Sequence, residues 1–408
     1  MAAVTNPAPT PSGGAALPAL PLLLLFCGVN LVIGSGAFII SPLLAPLAEG
    51  LGVGIAGAGQ AVTAYALSTA VLAPLALAAT ARWPRRRVML AALALFAAGN
   101  AVCALAPGLA VLLAGRVLMG VGAVFVPVAA GIAVTLVEPA RRGQALALVF
   151  LGMSLSYVVS LPLGAWLGFR YGWRVPIAGA AGLALLALAA IAWRVPRSLA
   201  AAGAEAGPQS NLGALLRQPE VLRVLATTLA YFTAIFCVFS YIGPVLQALV
   251  PMSSGQMSLT LMLFGCSGVA GTLIGGAAND RWGPRRSLWV QMSVLALTMA
   301  LLPLTAGHWP ALMAVLLAWG TAGFGMMAPQ QSRLAALAPA QAPLLFSFNS
   351  SMLYFGTASG AAIGGALAPR LGFIHLPWVG LVAALLALLM LVASAWEGPQ
   401  PAPSAPTA

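Results

Sequence analysis

The segments RWPRR (residues 82–86) and RWGPRR (residues 281–286) carry nearly the same arginine-rich motif in this 408-residue chain. Arg82 and Arg281, which open the two copies, are 199 residues apart. Each copy follows one long apolar stretch and precedes another. A motif that recurs in the same setting indicates internal duplication, so the sequence predicts two structurally related halves.

The composition around these motifs is strongly apolar. Hydrophobic residues make up 61% of the chain before its 45 glycines are counted, and 6% of the residues are charged. Soluble domains carry about 25% charged residues, which cover much of their surface. The composition therefore excludes a soluble enzyme, a nucleic-acid-binding domain and a disordered protein, in spite of the net charge of +12.

Twelve apolar runs are long enough to cross a bilayer, whose hydrocarbon core of about 30 Å requires roughly 20 residues of helix. Backbone polar groups in lipid must be hydrogen-bonded internally, so each run is predicted to be helical. The runs cover residues 20–48, 57–80, 87–106, 109–137, 143–169, 174–195, 221–248, 255–279, 287–305, 309–334, 343–368 and 373–396.

The arginines predict how these runs are oriented. All 18 basic residues are arginine, and none precedes Arg82. Fourteen lie on the side of the central loop, three lie on the opposite side, and Arg116 lies within the fourth run. Because cytoplasmic loops are enriched in basic residues, we expect a multi-pass protein of a bacterial cytoplasmic (inner) membrane with both termini in the cytoplasm.

A polar segment at residues 196–220 divides the twelve runs into two groups of six. It is predicted to be a cytoplasmic central loop between an N-terminal six-helix bundle (20–195) and a C-terminal six-helix bundle (221–396). Residues 1–19 and 397–408 are predicted to be disordered tails. Two six-helix halves in one membrane chain are typical of transporters.

Three motifs make the chain resemble the major facilitator superfamily. GGAANDRWGPRR (275–286) matches its loop motif, and LLAGRVLMGVGA (112–123) resembles its buried-arginine motif. PLGAWLGFRYGWR (162–174) is similar to the twelve-span drug and sugar efflux branch, particularly the arabinose-efflux-like permeases. The resemblance implies an all-α membrane protein with twelve transmembrane helices in two pseudo-symmetric six-helix bundles. It also implies a complete pathway in one chain, so we expect a monomer.

The resemblance implies that the loop motif is a latch between the halves that closes one side of a central cavity. The expected partner of Asp280 is the start of the fifth run near Gly143, where a helix dipole favours an anion. In the first copy Ala81 replaces the aspartate, so one of two possible latches is complete. The latch residues are Gly276, Asp280, Arg281, Gly283, Arg285 and Arg286.

Arg116 has two interpretations, because an unpaired guanidinium within a membrane costs several kcal/mol and must find polar partners or water. It either faces the cavity, where it contacts the substrate or responds to protonation nearby, or it is a structural residue bonded to backbone carbonyls of neighbouring helices. Arginine keeps its proton in such a setting, so Arg116 is not itself a proton carrier.

The resemblance places the cavity mainly among runs 1, 4, 7 and 10, with a contribution from run 11. The polar side chains there are largely uncharged and are accompanied by aromatic rings, a combination that suits a neutral or amphipathic ligand. The candidate substrate-binding residues are Asn30, Arg116, Tyr231, Tyr241, Trp319, Gln330, Asn349 and Tyr354.

Small residues at a spacing of four predict close helix packing. The resemblance implies that runs 2, 5, 8 and 11 meet between the halves, so we expect these stripes at that boundary. Pro162 removes one backbone hydrogen bond and is expected to bend run 5. The packing residues are Gly152, Ser156, Ser160, Pro162, Gly164, Gly356, Gly360 and Gly364.

The six acidic residues lie at the ends of runs or in loops, and Ala37 occupies the position where efflux permeases often carry an acid. The leading hypothesis is a secondary active transporter that exports a sugar or drug-like solute by alternating access, with proton antiport. An uncoupled facilitator of the same fold is the alternative, and a non-transporting membrane sensor or scaffold is the alternative of another class. The expected partners are a small solute, protons and the lipid bilayer. We expect no enzyme activity, cofactor, metal ion or nucleic acid.

Overall fold

The computed structural model of the chain describes residues 19–138, 141–196 and 217–394. These residues form helices and short loops, and no strand occurs among them. Residues 1–18 of the predicted N-terminal tail, the predicted tail at 397–408 and most of the predicted central loop at 196–220 lie outside the described residues, and Ala19 already belongs to the first helix.

The described helices form twelve long stretches, numbered here as spans 1–12. Spans 1–6 comprise Ala19–Phe38 with Leu44–Leu51, Ile55–Ala79, Arg85–Ala104, Leu109–Gly122 with Phe125–Ala133, Arg142–Tyr171 and Arg174–Arg194. Spans 7–12 comprise Pro219–Phe239 with Ile242–Leu249, Ser254–Trp282, Pro284–Leu301, Trp309–Phe324 with Met327–Leu337, Ala342–Leu371 and Leu376–Ala393. Spans 1, 4, 7 and 10 are each broken into two helices, and they are the spans expected to line the cavity.

Eleven of these stretches are long and apolar enough to cross a membrane. Span 11 is not among the eleven, although it is 30 residues long. Its first half contains the polar segment SFNSS at residues 347–351, which lowers its apolarity. Asn349 in this segment is fully buried, so at least part of that polarity faces the protein rather than lipid.

Local sequence signals explain how the spans end. Gly172 and Gly372, which are 200 residues apart, have φ values of 93° and 77° and terminate spans 5 and 11. Glycine reaches this left-handed region without a steric penalty. Span 8 begins with a capping box, in which Ser253 and Gln256 bond each other's backbone N–H groups. Pro284 then opens span 9, where its missing N–H costs no hydrogen bond.

The two groups of six spans pack in the same way. Span 1 packs on spans 5 and 6, as span 7 packs on spans 11 and 12. Span 4 contacts spans 2 and 3, as span 10 contacts spans 8 and 9. The principal contacts between the halves join span 2 to span 11 and span 5 to span 8. These four spans are the ones that the resemblance implied at the boundary.

The small-residue stripes lie elsewhere than expected, and this part of the prediction is corrected. On span 5, Gly152 lies against the Cys27 carbonyl of span 1, and Ser160 shares a hydrogen bond with Ser35 of that span. On span 11, a Cβ at Gly356 would lie 2.6 Å from the Leu229 carbonyl of span 7. The stripes therefore pack spans within each half. The remaining members make the same kind of contact: Ser156 with Gly34, Gly164 with Ile39, Gly360 with Thr233 and Gly364 with Cys237.

The small-residue stripes lie within each half because spans 5 and 11 each have two packed faces. The small face is needed where the backbone of span 1 or span 7 crosses closely. The opposite contact of span 5 reaches span 8 through its own backbone: Gly265 lies against the Tyr157 carbonyl, and Ser258 donates a 2.5 Å hydrogen bond to the Pro162 carbonyl. Pro162 itself lies inside the continuous helix Arg142–Tyr171.

Candidate functional site: the interior between the two halves

The arginine-poor end of the molecule, called the outer end below, is closed by contacts between the halves. Gly243 of span 7 lies so close to the Pro42 carbonyl of span 1 that a Cβ atom has no room there. The ring of Tyr241 fits against Gly59 of span 2 and Gly365 of span 11. Its hydroxyl donates a 2.8 Å hydrogen bond to the Ala361 carbonyl. Tyr241 therefore helps to seal the outer end.

A group of aromatic rings, the aromatic bridge, joins the halves beneath this seal. It consists of Phe38, Tyr157, Phe236, Phe239 and Phe324. Phe38 stacks on Tyr157 at 4.8 Å between ring centroids, and Tyr157 meets Phe324 of span 10 edge-on at 4.7 Å. Phe38 also lies 6.1 Å from the rings of Phe236 and Phe239 in span 7. Four spans from both halves thus converge on one apolar contact.

The aromatic bridge residues Phe38, Phe239 and Phe324 were absent from the sequence-based candidates. A signal for them exists, because each one is the last helical residue before the break in a predicted cavity-lining span. The helix breaks are not evident in the apolar composition. The position of these phenylalanines at helix ends can therefore be recognised only once the helices are known.

Arg116 lies in the first half with 1% of its surface exposed. Its guanidinium donates to the carbonyls of Gly36, Ala37 and Ala61 at 2.7, 2.8 and 2.9 Å. It also lies 4.7 Å from the centroid of the Tyr65 ring. These contacts agree with the interpretation of Arg116 as a structural residue bonded to backbone carbonyls of neighbouring helices.

The helix break in span 1 explains why Arg116 is needed. The helix Ala19–Phe38 ends in the membrane, and the last carbonyls of a helix have no partner within it. Gly36 and Ala37 lie in this last turn, so Arg116 supplies two of the missing donors. Its charge also complements the negative end of the helix dipole. Arg116 therefore acts as a C-terminal cap for the inner helix of span 1.

Two other candidates join neighbouring spans within one half. Asn30 donates to the Val149 carbonyl of span 5 at 2.9 Å, and its side-chain oxygen has no partner. Tyr231 donates to the Ala322 carbonyl of span 10 at 2.6 Å. Both side chains are fully buried in the described structure. These bonds hold adjacent helices in register.

A polar cluster in the second half, the amide cluster, has unused hydrogen-bonding capacity. Thr228 of span 7 donates to Asn349 at 2.6 Å, and Gln330 of span 10 donates to Thr228 at 2.8 Å. The Asn349 amide nitrogen and the Gln330 amide oxygen have no partner. Unpaired buried polar groups are costly, so a donor and an acceptor here are available to a polar ligand or water.

Trp319 and Tyr354 complete the predicted cavity set. Trp319 is fully buried against Phe264, with ring centroids 5.0 Å apart, and its indole N–H has no partner. Tyr354 is half-buried on span 11 and lies near Tyr157. The amide cluster and Trp319 belong to the second half, whereas Arg116 and Asn30 belong to the first, so the structure does not bring the eight candidates into one cluster.

Arg333 is a second buried arginine, which the sequence had placed among the charges of the arginine-rich side. It is 2% exposed and donates to the Ser394 hydroxyl at the end of span 12. Its position near the end of span 10 concealed its burial, because arginines at span ends are ordinarily solvated.

The latch motif lies at the opposite, arginine-rich end. Asp280 and Arg281 are exposed, and Asp280 accepts a 3.2 Å hydrogen bond from Asn279 of its own helix. Gly283 ends span 8 with φ 79°, and Arg286 is exposed while Arg285 is half-buried. A Cβ at Gly276 would meet no atom within 4 Å. The described hydrogen bond of Asp280 is thus local, and the side chains at the start of span 5 near Gly143, where the latch partner is predicted, lie outside the described residues.

Comparison with known proteins agrees with this architecture. The family model described as Major Facilitator Superfamily matches residues 26–342 and 252–408. The chain belongs to the major facilitator superfamily, and it is a membrane transporter of that type rather than an enzyme. The twelve-span efflux assignment made from the sequence motifs is confirmed.

Three relatives and one solved structure illustrate the similarity. The chain is 31% identical over 382 residues to the inner membrane transport protein YdhP of Escherichia coli K12, covering 93% of this chain and 97% of that protein. It is 26% identical to a probable sugar efflux transporter of Mannheimia succiniciproducens, covering 88% and 90%. It is 29% identical to a chloramphenicol resistance protein of Streptomyces lividans, covering 84% and 88%. The crystal structure of a D-xylose–proton symporter matches the fold with a TM-score of 0.75 at 15% identity, over 91% and 96% of the two chains.

Proposed function

We propose that the chain exports a small neutral or amphipathic solute, a sugar or a drug-like compound, across the bacterial cytoplasmic membrane by alternating access. The observation that carries this proposal is the uncharged amide cluster with its free donor and acceptor. It lies in a chain whose halves meet through the aromatic bridge. Relatives named for sugar efflux and chloramphenicol resistance support both solute classes.

The described state fits one end point of that cycle. The outer end is sealed by Tyr241 and Gly243, while Asp280 at the arginine-rich end makes local contacts. We assign the arginine-rich end, and both termini, to the cytoplasm on the basis of the arginine distribution. The structure then corresponds to a conformation that is closed toward the outside.

Proton antiport is the proposed energy source, and uncoupled facilitation is the second candidate. A specific observation favours the second: Glu49, Glu138, Glu220 and Asp280, the acids among the described residues, all lie at span ends or in loops. Proton relays in membrane transporters ordinarily use acidic side chains within the membrane. Arg116 offers no substitute, because its donors are engaged by carbonyls.

A flux assay separates these candidates. Proteoliposomes with a trapped pH dye would be given a proton gradient and tested with a panel of sugars and with chloramphenicol. Antiport predicts solute flux against its own gradient together with proton movement. Facilitation predicts flux that follows the solute gradient alone, and absence of flux for every compound would contradict the proposed function.

A matched pair of variants tests whether the measured flux requires movement between spans 5 and 8. Gly265→Leu places a side chain against the Tyr157 carbonyl across the halves and should abolish flux. Gly255→Leu, near the start of the same span, meets open space and should transport like the wild type. Equal flux in the two variants would indicate that movement between spans 5 and 8 is not required.

A further inference from the structure

A groove on the side of the second half has a volume of about 730 Å³. It is formed by spans 7, 11 and 12, and its lower part is lined by apolar side chains such as Ile363, Leu367 and Val382. Val382 is 68% exposed in the isolated chain, which in a membrane protein means that it faces lipid. The groove therefore opens to the bilayer rather than to the interior.

The dimensions of the groove match one leaflet. Along span 12 its lining runs from His375 to Leu386, a rise of about 16 Å at 1.5 Å per residue. Along span 11 it runs from Ile363 to Arg370, about 10 Å. Half of the hydrocarbon core is about 15 Å thick. An acyl chain that enters at the outer end thus has apolar contacts over the depth of its leaflet.

The outer mouth of the groove carries a basic residue with free donors. Arg370 is exposed, and within the described residues its guanidinium makes no hydrogen bond or ion pair. His375 also lines the groove, with Nδ1 2.9 Å from the Leu371 carbonyl. Trp378 donates to the Ala300 carbonyl at 3.3 Å and packs near the His375 ring, as an anchor at the membrane interface would.

We propose that this groove binds one anionic phospholipid of the outer leaflet. Arg370 would contact the headgroup phosphate, because guanidinium and phosphate form strong, paired hydrogen bonds. One acyl chain would lie along the apolar lining of spans 11 and 12. A phospholipid is the occupant because the apolar part of the groove faces hydrocarbon, and the positive charge at the mouth selects an anionic headgroup.

The first half provides a matched control at the position one repeat earlier. Arg170 ends span 5 as Arg370 ends span 11, and both arginines are exposed. The Arg170 guanidinium, however, lies over its neighbour Tyr171 at 5.7 Å from the ring centroid. Removal of either charge changes the net charge equally, so a difference in lipid binding reports on the groove and not on general electrostatics.

Native mass spectrometry of the purified intact protein with added dioleoyl phosphatidylglycerol tests the proposal, with dioleoyl phosphatidylcholine as the neutral comparison. The wild type should retain one phosphatidylglycerol in preference to phosphatidylcholine. Arg370→Gln should weaken that binding about tenfold, the loss expected for a charged hydrogen bond, and Arg170→Gln should not. Equal retention of the two lipids, or tight phosphatidylglycerol binding by Arg370→Gln, would overturn it.

Two further experiments test whether the acyl chain lies in the groove and whether the headgroup alone is bound. Val382→Trp would fill the apolar part of the groove and should reduce phosphatidylglycerol retention while Arg370 is intact. Glycerol phosphate, which has the headgroup chemistry without acyl chains, should not compete. Competition by glycerol phosphate, or unchanged retention by Val382→Trp, would mean that the groove does not hold the acyl chain.

Discussion

The two halves contain the same close helix crossing, but different side chains surround it. In the first half, Gly120 of span 4 lies against Ser68 and the Tyr65 carbonyl of span 2. In the second half, 200 residues later, Gly320 of span 10 lies against Ser267 and the Phe264 carbonyl of span 8. The close helix crossing is duplicated, and it depends on a small residue at the same point of each repeat.

The side chains around these crossings differ. The first half places Arg116 one turn before its glycine, next to Tyr65, where it caps the broken helix of span 1. The second half has Leu316 at the matched position, and Trp319 packs on Phe264. Two unpaired buried atoms of the second half, the Asn349 amide nitrogen and the Gln330 amide oxygen, lie in the amide cluster near the inner end. At this crossing the first half is therefore fixed by a buried cation, whereas an aromatic pair fills the matched place in the second half.

The largest effect is expected from Arg116→Met, which keeps most of the volume and removes the cap. Three carbonyls, two of them at the helix end, lose their donor at about 1 kcal/mol or more each, so the unfolding free energy should fall by about 3 kcal/mol. Thermal unfolding in detergent measures this. The matched change Leu316→Met should cost less than about 1.5 kcal/mol, because it conserves volume in an apolar site. Equal losses would remove the distinction between the halves.

The next effect concerns the outer seal. Gly243→Leu cannot be accommodated against the Pro42 carbonyl, so it should hold the outer end open. In a background without native cysteines, Phe236→Cys should then react with an impermeant thiol reagent from outside about tenfold faster. The control Gly54→Leu lies near the same end but meets open space and should leave the rate unchanged. A slow rate in Gly243→Leu would mean that the seal lies elsewhere.

A third prediction compares the two polar sites in transport. Asn349→Ala should raise the KM for a transported solute about tenfold, because the solute loses one hydrogen-bonding partner in the amide cluster. Asn30→Ala removes a bond between spans 1 and 5 and should lower the melting temperature with little change in KM. Initial rates in proteoliposomes, together with melting curves, check both variants. The reverse pattern would place the solute in the first half.

The smallest effect is expected at the latch. Asp280 is exposed and bonded to Asn279, so Asp280→Asn should leave the melting temperature unchanged. If the carboxylate forms a latch in the other end state, its loss should shift the conformational balance about threefold toward the outward-closed state, as a helix-dipole contact of under 1 kcal/mol would. Accessibility of single cysteines at the two ends measures the balance. Unchanged accessibility would leave the aspartate without a gating role.

The sequence predicted the features that recur in the two halves, but it did not predict the helix breaks within spans 1, 4, 7 and 10. Spans could be read from apolar length, and Gly172 and Gly372 mark matched ends, because these are local properties of the chain. The role of Arg116 could not be decided, because it depends on a helix end at Phe38, 78 residues away, inside an apolar run. The small-residue stripe that contains Gly152 could be recognised as a helix-packing surface. Its spacing alone does not indicate which neighbouring span packs against it.

We propose that the halves rock about the aromatic bridge and so expose the amide cluster to each side in turn. Spin labels at Ala45 and Ala248, on the outer ends of spans 1 and 7, and at Ala81 and Ala277, near the arginine-rich end, allow both openings to be measured by pulsed electron resonance. With a transported solute and its gradient, the outer distance should lengthen while the inner distance shortens in the same molecules. Distances that stay fixed under conditions that sustain flux would contradict the account.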